Sequence, residues 1–447
     1  MENKTATPSV CGTGAPSDGG TNTTSTNYLA QLQAVGQQLS DPVKVAQQQA
    51  AMIGKWMGAG SDQLPFYAEL QAQAPVFQTP LFTIVTRYED VMEAYNNNDV
   101  FTTGAFSAQI TRDIGPFILA MKNTAEYERQ KSILRLAVAR TDADRIHALV
   151  TEESGKLLAT YKAGDSFDLV AQYSRLLPAL VVRRYLGVAE IPTEQIWQWS
   201  RSMFRDIFAN LTQDPQLTKA AVASRDVAFP ILDQLIESRR QYLDQQGADH
   251  DPVTVLDRLL IMQRTTTTAL TNDEIRATIL GTFVGMVDLT SIGIMVAAVQ
   301  LMKRGMWDKA QAAAAQDDTA LLGYVLEAMR FSPPAPGAFR LCEQDYVIAK
   351  GTDRQTALKA GTLVYVASVA AMQDPVYVDS PTEFRAGRPE TAYLFWFSGL
   401  HTCLGQYFSQ IQLTIALKGL LQLGHLQIVG PPTLEGGFPN NLPVKVV

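Results

Sequence analysis

The sequence is poor in the side chains that cross-link a chain or cluster around a metal. It holds three cysteines and four histidines in 447 residues. Cys11, Cys342 and Cys403 are too few and too scattered for a disulfide framework, and the set suits a reducing compartment. No Cys-x-x-Cys or His-x-x-x-His spacing occurs, which excludes the zinc sites those spacings build. Basic residues are outnumbered, 37 Lys and Arg against 44 Asp and Glu, for a net charge of -7. Nucleic acid is therefore not expected as the main partner. The opening stretch, "MENKTATPSVCGTGAPSDGGTNTTSTN", lacks both a basic start and an apolar centre. Residues 1–27 read as a disordered tail rather than a signal peptide, with 28–447 as one catalytic domain in the cytoplasm.

Long apolar runs are scarce as well. One exists, residues 277–302, "ATILGTFVGMVDLTSIGIMVAAVQLM". Its length alone permits a membrane span. Asp288 lies in the middle, where a charge in lipid is costly, so the run reads as the central helix of a core and no membrane span is expected. Thr271-Asn-Asp-Glu274 forms a capping box that starts it. At 1.5 Å per residue a helix running to about residue 304 is roughly 50 Å long.

Helical periodicity dominates elsewhere: 29–58, a strand turning to helix in 82–95, then 125–140, 142–162, 167–187, 193–211 and 216–246. After residue 340 the pattern alternates and turn residues appear, which reads as short strands. "QDPVYVDSPTEFRAGRPETAYLF" (373–395) is a long meander punctuated by prolines, and long irregular loops in compact domains are usually functional. The expected fold class is mainly α with a small β region.

Then comes "FWFSGLHTCLGQYFSQ" (395–410). A lone cysteine stands between Gly399 and Gly405, two residues after His401 and just ahead of an apolar helical pattern over 404–421. A helix N-terminus favours a thiolate. Gly399 permits a tight turn, and Gly405 leaves space for a flat ligand. Amides following Cys403 can hydrogen-bond the sulfur of an iron ligand.

The run 396–405, "WFSGLHTCLG", resembles the heme-binding loop of the cytochrome P450 family, Phe-x-x-Gly-x-His/Arg-x-Cys-x-Gly, with Trp396 where Phe is usual. Glu327-Ala-Met-Arg330 resembles the family's Glu-x-x-Arg motif. It is followed by "FSPPAPGAFR", with Arg340 where the family places a propionate arginine, and by "AAMQDP", "PTEF" and "GRP" as in the family's meander. The likeness runs from about residue 60 onward. It implies the P450 fold, with heme b between a distal helix (Gly285 to Thr290) and a proximal helix after Cys403. Cys403 would be the iron ligand. His401, Arg340, Tyr127, Lys131, Trp396 and Gly405 would hold the cofactor. Glu327, Arg330 and Arg388 would form a structural ion network.

The chain departs from the family at two places. Tyr127 and Lys131 stand where His and Arg are usual. The distal motif reads Gly285-Met286-Val287-Asp288-Leu289-Thr290, with Leu289 where a threonine normally assists proton delivery. Leucine cannot donate or relay a proton, so Asp288, Thr290, water or the substrate would have to. The resemblance thus implies a monooxygenase acting on a hydrophobic small molecule or acyl chain. Alternatives are an enzyme that uses peroxide or a substrate hydroperoxide, and a non-catalytic heme-binding protein. The distal helix also resembles heme-thiolate domains that partner fatty-acid dioxygenases. Residues 104–120, Phe283, Val287, Ala335 and Phe339 are expected to line the pocket. A separate ferredoxin-type electron donor would dock near Arg129, Lys131 and Arg135.

Overall fold

A computed structural model of the chain describes residues 27–39, 41–57, 63–122, 124–210, 213–246, 253–435 and 438–447. The expected tail over 1–27, with Cys11, lies outside these residues except for Asn27. Asn27 caps the first helix by accepting a hydrogen bond from the Ala30 amide.

The chain is mainly helical, 62% helix against 10% strand, as its periodicity predicts. The pattern over 29–58 is two helices, α1 (Tyr28–Gln38) and α2 (Pro42–Met57), rather than one. Proline lacks the amide a helix interior needs but suits a first helical position. α3 (Leu64–Gln73) leads to β1 (Val76–Gln78), β2 (Thr83–Val85) and α4 (Tyr88–Asn96). β3 (Phe101–Thr102) and α5 (Ser107–Asp113) precede α6 (Ala125–Ala137) and α7 (Ala143–Leu158).

The helix expected over 167–187 is instead β4 (Ser166–Asp168), a π turn over Val170–Ser174, and α8 (Leu176–Leu186). The alternating "SFD" pairs with a strand some 280 residues away, a tertiary contact that local periodicity does not contain. α9 (Thr193–Phe204) runs into a second π turn, Arg205–Ala209. Three further helices follow: α10 (Pro215–Gln246), α11 (Val255–Thr265) and α12 (Asn272–Lys303). The Thr271–Glu274 capping box is formed as expected, each side chain bonding the other's backbone amide.

α13 (Trp307–Gln316) and α14 (Asp318–Arg330) lead to β5 (Ala338–Cys342) and the hairpin β6 (Tyr346–Ile348) with β7 (Thr356–Leu358). β8 (Leu363–Val366) and the single turn α15 (Ser368–Ala371) come before the meander and α16 (Gln406–Gln422). The last strands are β9 (Leu426–Ile428), β10 (Thr433–Glu435), β11 (Phe438–Asn441) and β12 (Pro443–Val446).

The largest sheet has the order β1-β2-β8-β5-β3, with β2 and β8 parallel and the other pairs antiparallel. A second sheet, β4-β12-β9, takes its middle strand from residues 443–446. Among the described residues, α12 alone is long and apolar enough to cross a membrane. It is instead the centre of the core: Ile275, Ile279, Phe283, Val287 and Ile294 have no exposed surface.

Candidate active site

The loop before α16 is shaped by backbone contacts. Gly399 has φ +74°, and a Cβ there would come within 2.4 Å of the Tyr95 carbonyl, so only glycine fits. The Cys403 amide donates to the Trp396 carbonyl at 3.0 Å. The Trp396 indole N–H reaches Ser409 Oγ on α16 at 2.9 Å, pinning the loop to the helix. Cys403 is three residues ahead of α16, not on it. Burial pushes its thiol up, and a hydrogen bond from Gly405 only partly offsets this. The Gly405 amide, at the cap of α16, is the part of the expected helix-end stabilisation that reaches the sulfur. The side chain is nevertheless accessible. A group both desolvated and accessible borders an internal space. A buried thiol in such a space becomes a thiolate when a metal ion supplies the positive charge.

α12 has an opening of its own. Gly285 is exposed in the middle of an otherwise buried helix, and nothing lies within 4 Å of where its Cβ would be. Thr282, Met286 and Leu289, on the same side, are half-buried. Phe283 and Val287 have no accessible surface. At 100° per residue they point away from Gly285 into the core, so they do not line the space as expected. Ala335 is half-buried beside it in sequence to β5, and Phe339 packs edge-on to Phe82, Phe106 and Tyr365.

Asp288 is 1% exposed and faces α9. It accepts from Arg201 Nε at 2.8 Å and Nη2 at 2.7 Å, and from Ser200 Oγ at 3.2 Å. Its carboxylate is therefore occupied by a guanidinium. Thr290, two residues on, is buried on nearly the opposite side of the helix. Neither Ser200 nor Arg201 was singled out in the sequence, although Arg201 and Arg205 at i, i+4 among aromatics were a visible signal.

Cations gather at the edge of the cysteine loop. Arg340 on β5 is 5% exposed and lies over the Tyr95 ring. Its Nη1 donates to the Phe339 carbonyl, while Nε has no partner. His401 Nδ1 is also buried without a partner. Tyr127 Oη and Lys131 Nζ both donate to the Leu400 carbonyl, at 2.9 and 2.6 Å. The two expected cofactor ligands on α6 thus hold the loop itself. Burial pushes His401 down to about 4, with Arg340 and Lys131 adding repulsion. Glu128 acts on Lys131, while among the described residues no carboxylate acts on Arg340 or His401. A flat tetrapyrrole with two carboxylate arms fits the groups present: an accessible thiol at Cys403 for its iron, and unpartnered buried nitrogens on Arg340 and His401 for its carboxylates.

A pH prediction follows from His401. In the unfolded chain its pKa is near 6.5 and in the fold about 4. Below pH 6.5 the unfolded state therefore binds the extra proton, and stability falls with pH until about pH 4, by up to about 3 kcal/mol. Acid unfolding of the heme-free protein should show this loss, and His401→Gln should show much less. Equal pH dependence in the two would contradict the assignment.

Glu327 and Arg330, both without exposed surface, pair through two contacts of 3.0 and 2.8 Å. Arg388 Nε reaches Glu327 Oε1 at 3.1 Å, the Arg385 amide the same oxygen at 2.9 Å, and Tyr393 Oη the other at 3.3 Å. Arg330 also donates to the Met372 and Glu383 carbonyls. The three predicted residues are thus brought together, while the roles of the Arg385 amide and Tyr393 had no sequence signal.

The expected docking cations fare differently. Lys131 is buried, and Arg129 is engaged by Glu126, Glu274 and the carbonyls of Thr268 and Ala269. Of the three, Arg135 is the exposed one.

The comparisons with known proteins agree with this geometry. Residues 193–430 match the family model "Cytochrome P450". The chain is 25% identical over 376 residues to the mycinamicin IV hydroxylase/epoxidase of Micromonospora griseorubida, covering 80% of this chain and 86% of that protein. Over 130 residues it is 32% identical to the bifunctional dioxygenase–epoxy alcohol synthase of Pyricularia oryzae, a match spanning 28% of this chain and 11% of that protein. Among solved structures, P450BioI in complex with an acyl carrier protein ligated to hexadec-9Z-enoic acid superposes with a TM-score of 0.74 at 20% identity, over 86% of this chain and 97% of that one. With the family model spanning more than half its length, the chain belongs to the cytochrome P450 family, whose cofactor is heme b.

Proposed function

We propose that the protein is a monooxygenase that oxidises an apolar small molecule or acyl chain. Heme bound between α12 and the Cys403 loop supplies dioxygen activation and oxygen-atom transfer. Cys403 Sγ would be the iron ligand, and the Arg340 guanidinium together with the neutral His401 imidazole would hold the cofactor's carboxylates. Gly285 leaves room beside the helix, and Phe106, Phe208 and Phe204 form a chain of ring contacts of 5.3 and 5.0 Å whose end, Phe204, packs against the Ile292 and Val296 cluster of α12 and supplies apolar surface. Apolar walls with few polar groups select a hydrophobic ligand. Electrons come from a separate ferredoxin-type partner, as is general for bacterial members of the family, and the setting is cytoplasmic.

The observation that carries the reading is the pairing of an accessible, desolvated Cys403 with an open α12 face at Gly285. Apolar compounds should therefore shift the heme absorption spectrum on titration and yield oxygenated product with a surrogate ferredoxin system. Absence of both would overturn it.

Leu289 supports a second reading, the use of hydroperoxide. The side chain on the open face of α12 carries no proton, and Asp288 is held by Arg201 rather than turned to that face. The bifunctional dioxygenase–epoxy alcohol synthase likeness supports the same reading. Leu289→Thr is expected to shift turnover toward reductant dependence and to lower peroxide release, provided its hydroxyl finds a partner. Tightly coupled reductant-driven turnover by the natural sequence, with no response to hydroperoxides, would exclude the hydroperoxide reading.

A further inference from the structure

Where α9, α12 and the β10–β11 hairpin meet, apolar surface gives way to guanidinium groups. Gly285, Leu289, Ile292 and Val296 fall on one stripe of α12. Ile292 and Val296 form a small buried cluster with Phe438, separate from the main core, with Phe204 packed against it. The Arg201 guanidinium lies 4.7 Å from the centre of the Phe438 ring. Arg201 is 5% exposed, and its Nε and Nη2 are taken by Asp288. Its Nη1 is buried without a hydrogen-bond partner, and the nearest acidic oxygen, Glu435 Oε2, is 3.9 Å away. One turn on, Arg205 Nη1 reaches Glu435 Oε1 at 3.4 Å. Arg175, also buried, has an unpartnered Nε and bonds only uncharged oxygens of Pro439 and Asn440. The three guanidinium groups thus face Asp288 and Glu435, with Asp168 of β4 also acting on Arg175, and Arg201 Nη1 and Arg175 Nε stay without a hydrogen-bond partner. Glu435 itself is half-exposed and loosely held.

A buried cation with an open N–H is a costly arrangement that an anionic oxygen relieves. We infer that this junction binds a carboxylate at the head of an apolar substrate, whose body passes the Ile292–Val296–Phe438 cluster and runs toward Leu289 and Gly285. Glu435 occupies the place of that carboxylate when no substrate is bound and yields it on binding. The inference rests on the reading of the open α12 face as substrate space, and it turns a general apolar preference into one for a fatty-acid-like amphiphile.

The test is a spectral titration of the heme-loaded protein with dodecanoate and with methyl dodecanoate at neutral pH, the heme spin-state change reporting binding. Dodecanoate is expected to bind about tenfold more tightly than its ester, as a charge-assisted hydrogen bond allows. Glu435→Gln, which removes the competing acid, should raise that acid-to-ester ratio. Arg205→Gln should lower it. Arg201 is left intact because its loss would strand Asp288 in the core. Equal affinity for acid and ester, or a ratio that neither substitution moves, would overturn the anionic head site while leaving the apolar pocket standing. Failure of both compounds to bind would overturn the pocket and this inference together.

Discussion

Cys403→Ala is expected to abolish the red-shifted Soret band of the reduced carbon monoxide complex and all turnover. The band depends on sulfur ligation, and alanine has no lone pair to offer. The protein supplies little of the stabilisation a free thiolate would need: burial pushes the Cys403 thiol up, and one amide at Gly405 is its local compensation. The iron's charge must do the rest. The loop itself should survive the change, because its shape is set by the Cys403 amide on the Trp396 carbonyl and by Trp396 on Ser409, none of which involves sulfur. Heme uptake should therefore be reduced but measurable, with Arg340 and His401 still in place. A variant that retains the red-shifted band would refute the ligand assignment.

Glu327→Ala is expected to cost about 3–5 kcal/mol, since it leaves a buried cation without its partner. Against a total stability of about 5–15 kcal/mol, that is a large share. Burial works against the Glu327 charge, yet Arg330, the Arg385 amide and Arg388 together hold its carboxyl below the usual range. The carboxylate therefore gathers α14 and two points of the meander at once. Its loss should release the meander that leads into the cysteine loop, seen as a lowered melting temperature and poor heme incorporation. Glu327→Gln keeps the shape and some hydrogen bonds but not the charge, and should fall between the two. Normal heme content and melting temperature in Glu327→Ala, with a defect only in turnover, would show instead that the group acts in chemistry.

The sequence made the helical class, the central position of α12 and the identity of the cysteine loop legible, for different reasons. Residues 272–303 announce themselves by a capping box and by apolar character on all sides, both local properties. Cys403 stands out because restricted residue types fall at fixed offsets around it. What stayed hidden is tertiary. Nothing near Asp288 says that α9 will bring Arg201 to it, so an acid expected to move protons is held in an ion pair. Tyr127 and Lys131 have donors that suit a propionate equally well, and only the folded backbone shows both on the Leu400 carbonyl. Phe283 and Val287 were chosen for being apolar, whereas the rotation of α12 sets which residues face the space, and that depends on what packs behind it. The break between α1 and α2 was missed because composition outweighed the one proline.

β12 lies between β4 and β9, so residues 166–168 find their strand partner, among the described strands, in residues 443–446. A chain emerging from the ribosome at about 5–20 residues per second must therefore carry β4 with its edge unpaired until nearly all of the residues described here have been made. The cofactor waits almost as long, since Tyr127 and Lys131 grip a carbonyl at residue 400. Heme loading in the cell then waits until the cysteine loop has been made, and the interval before it is the stage at which chaperone occupancy should be greatest.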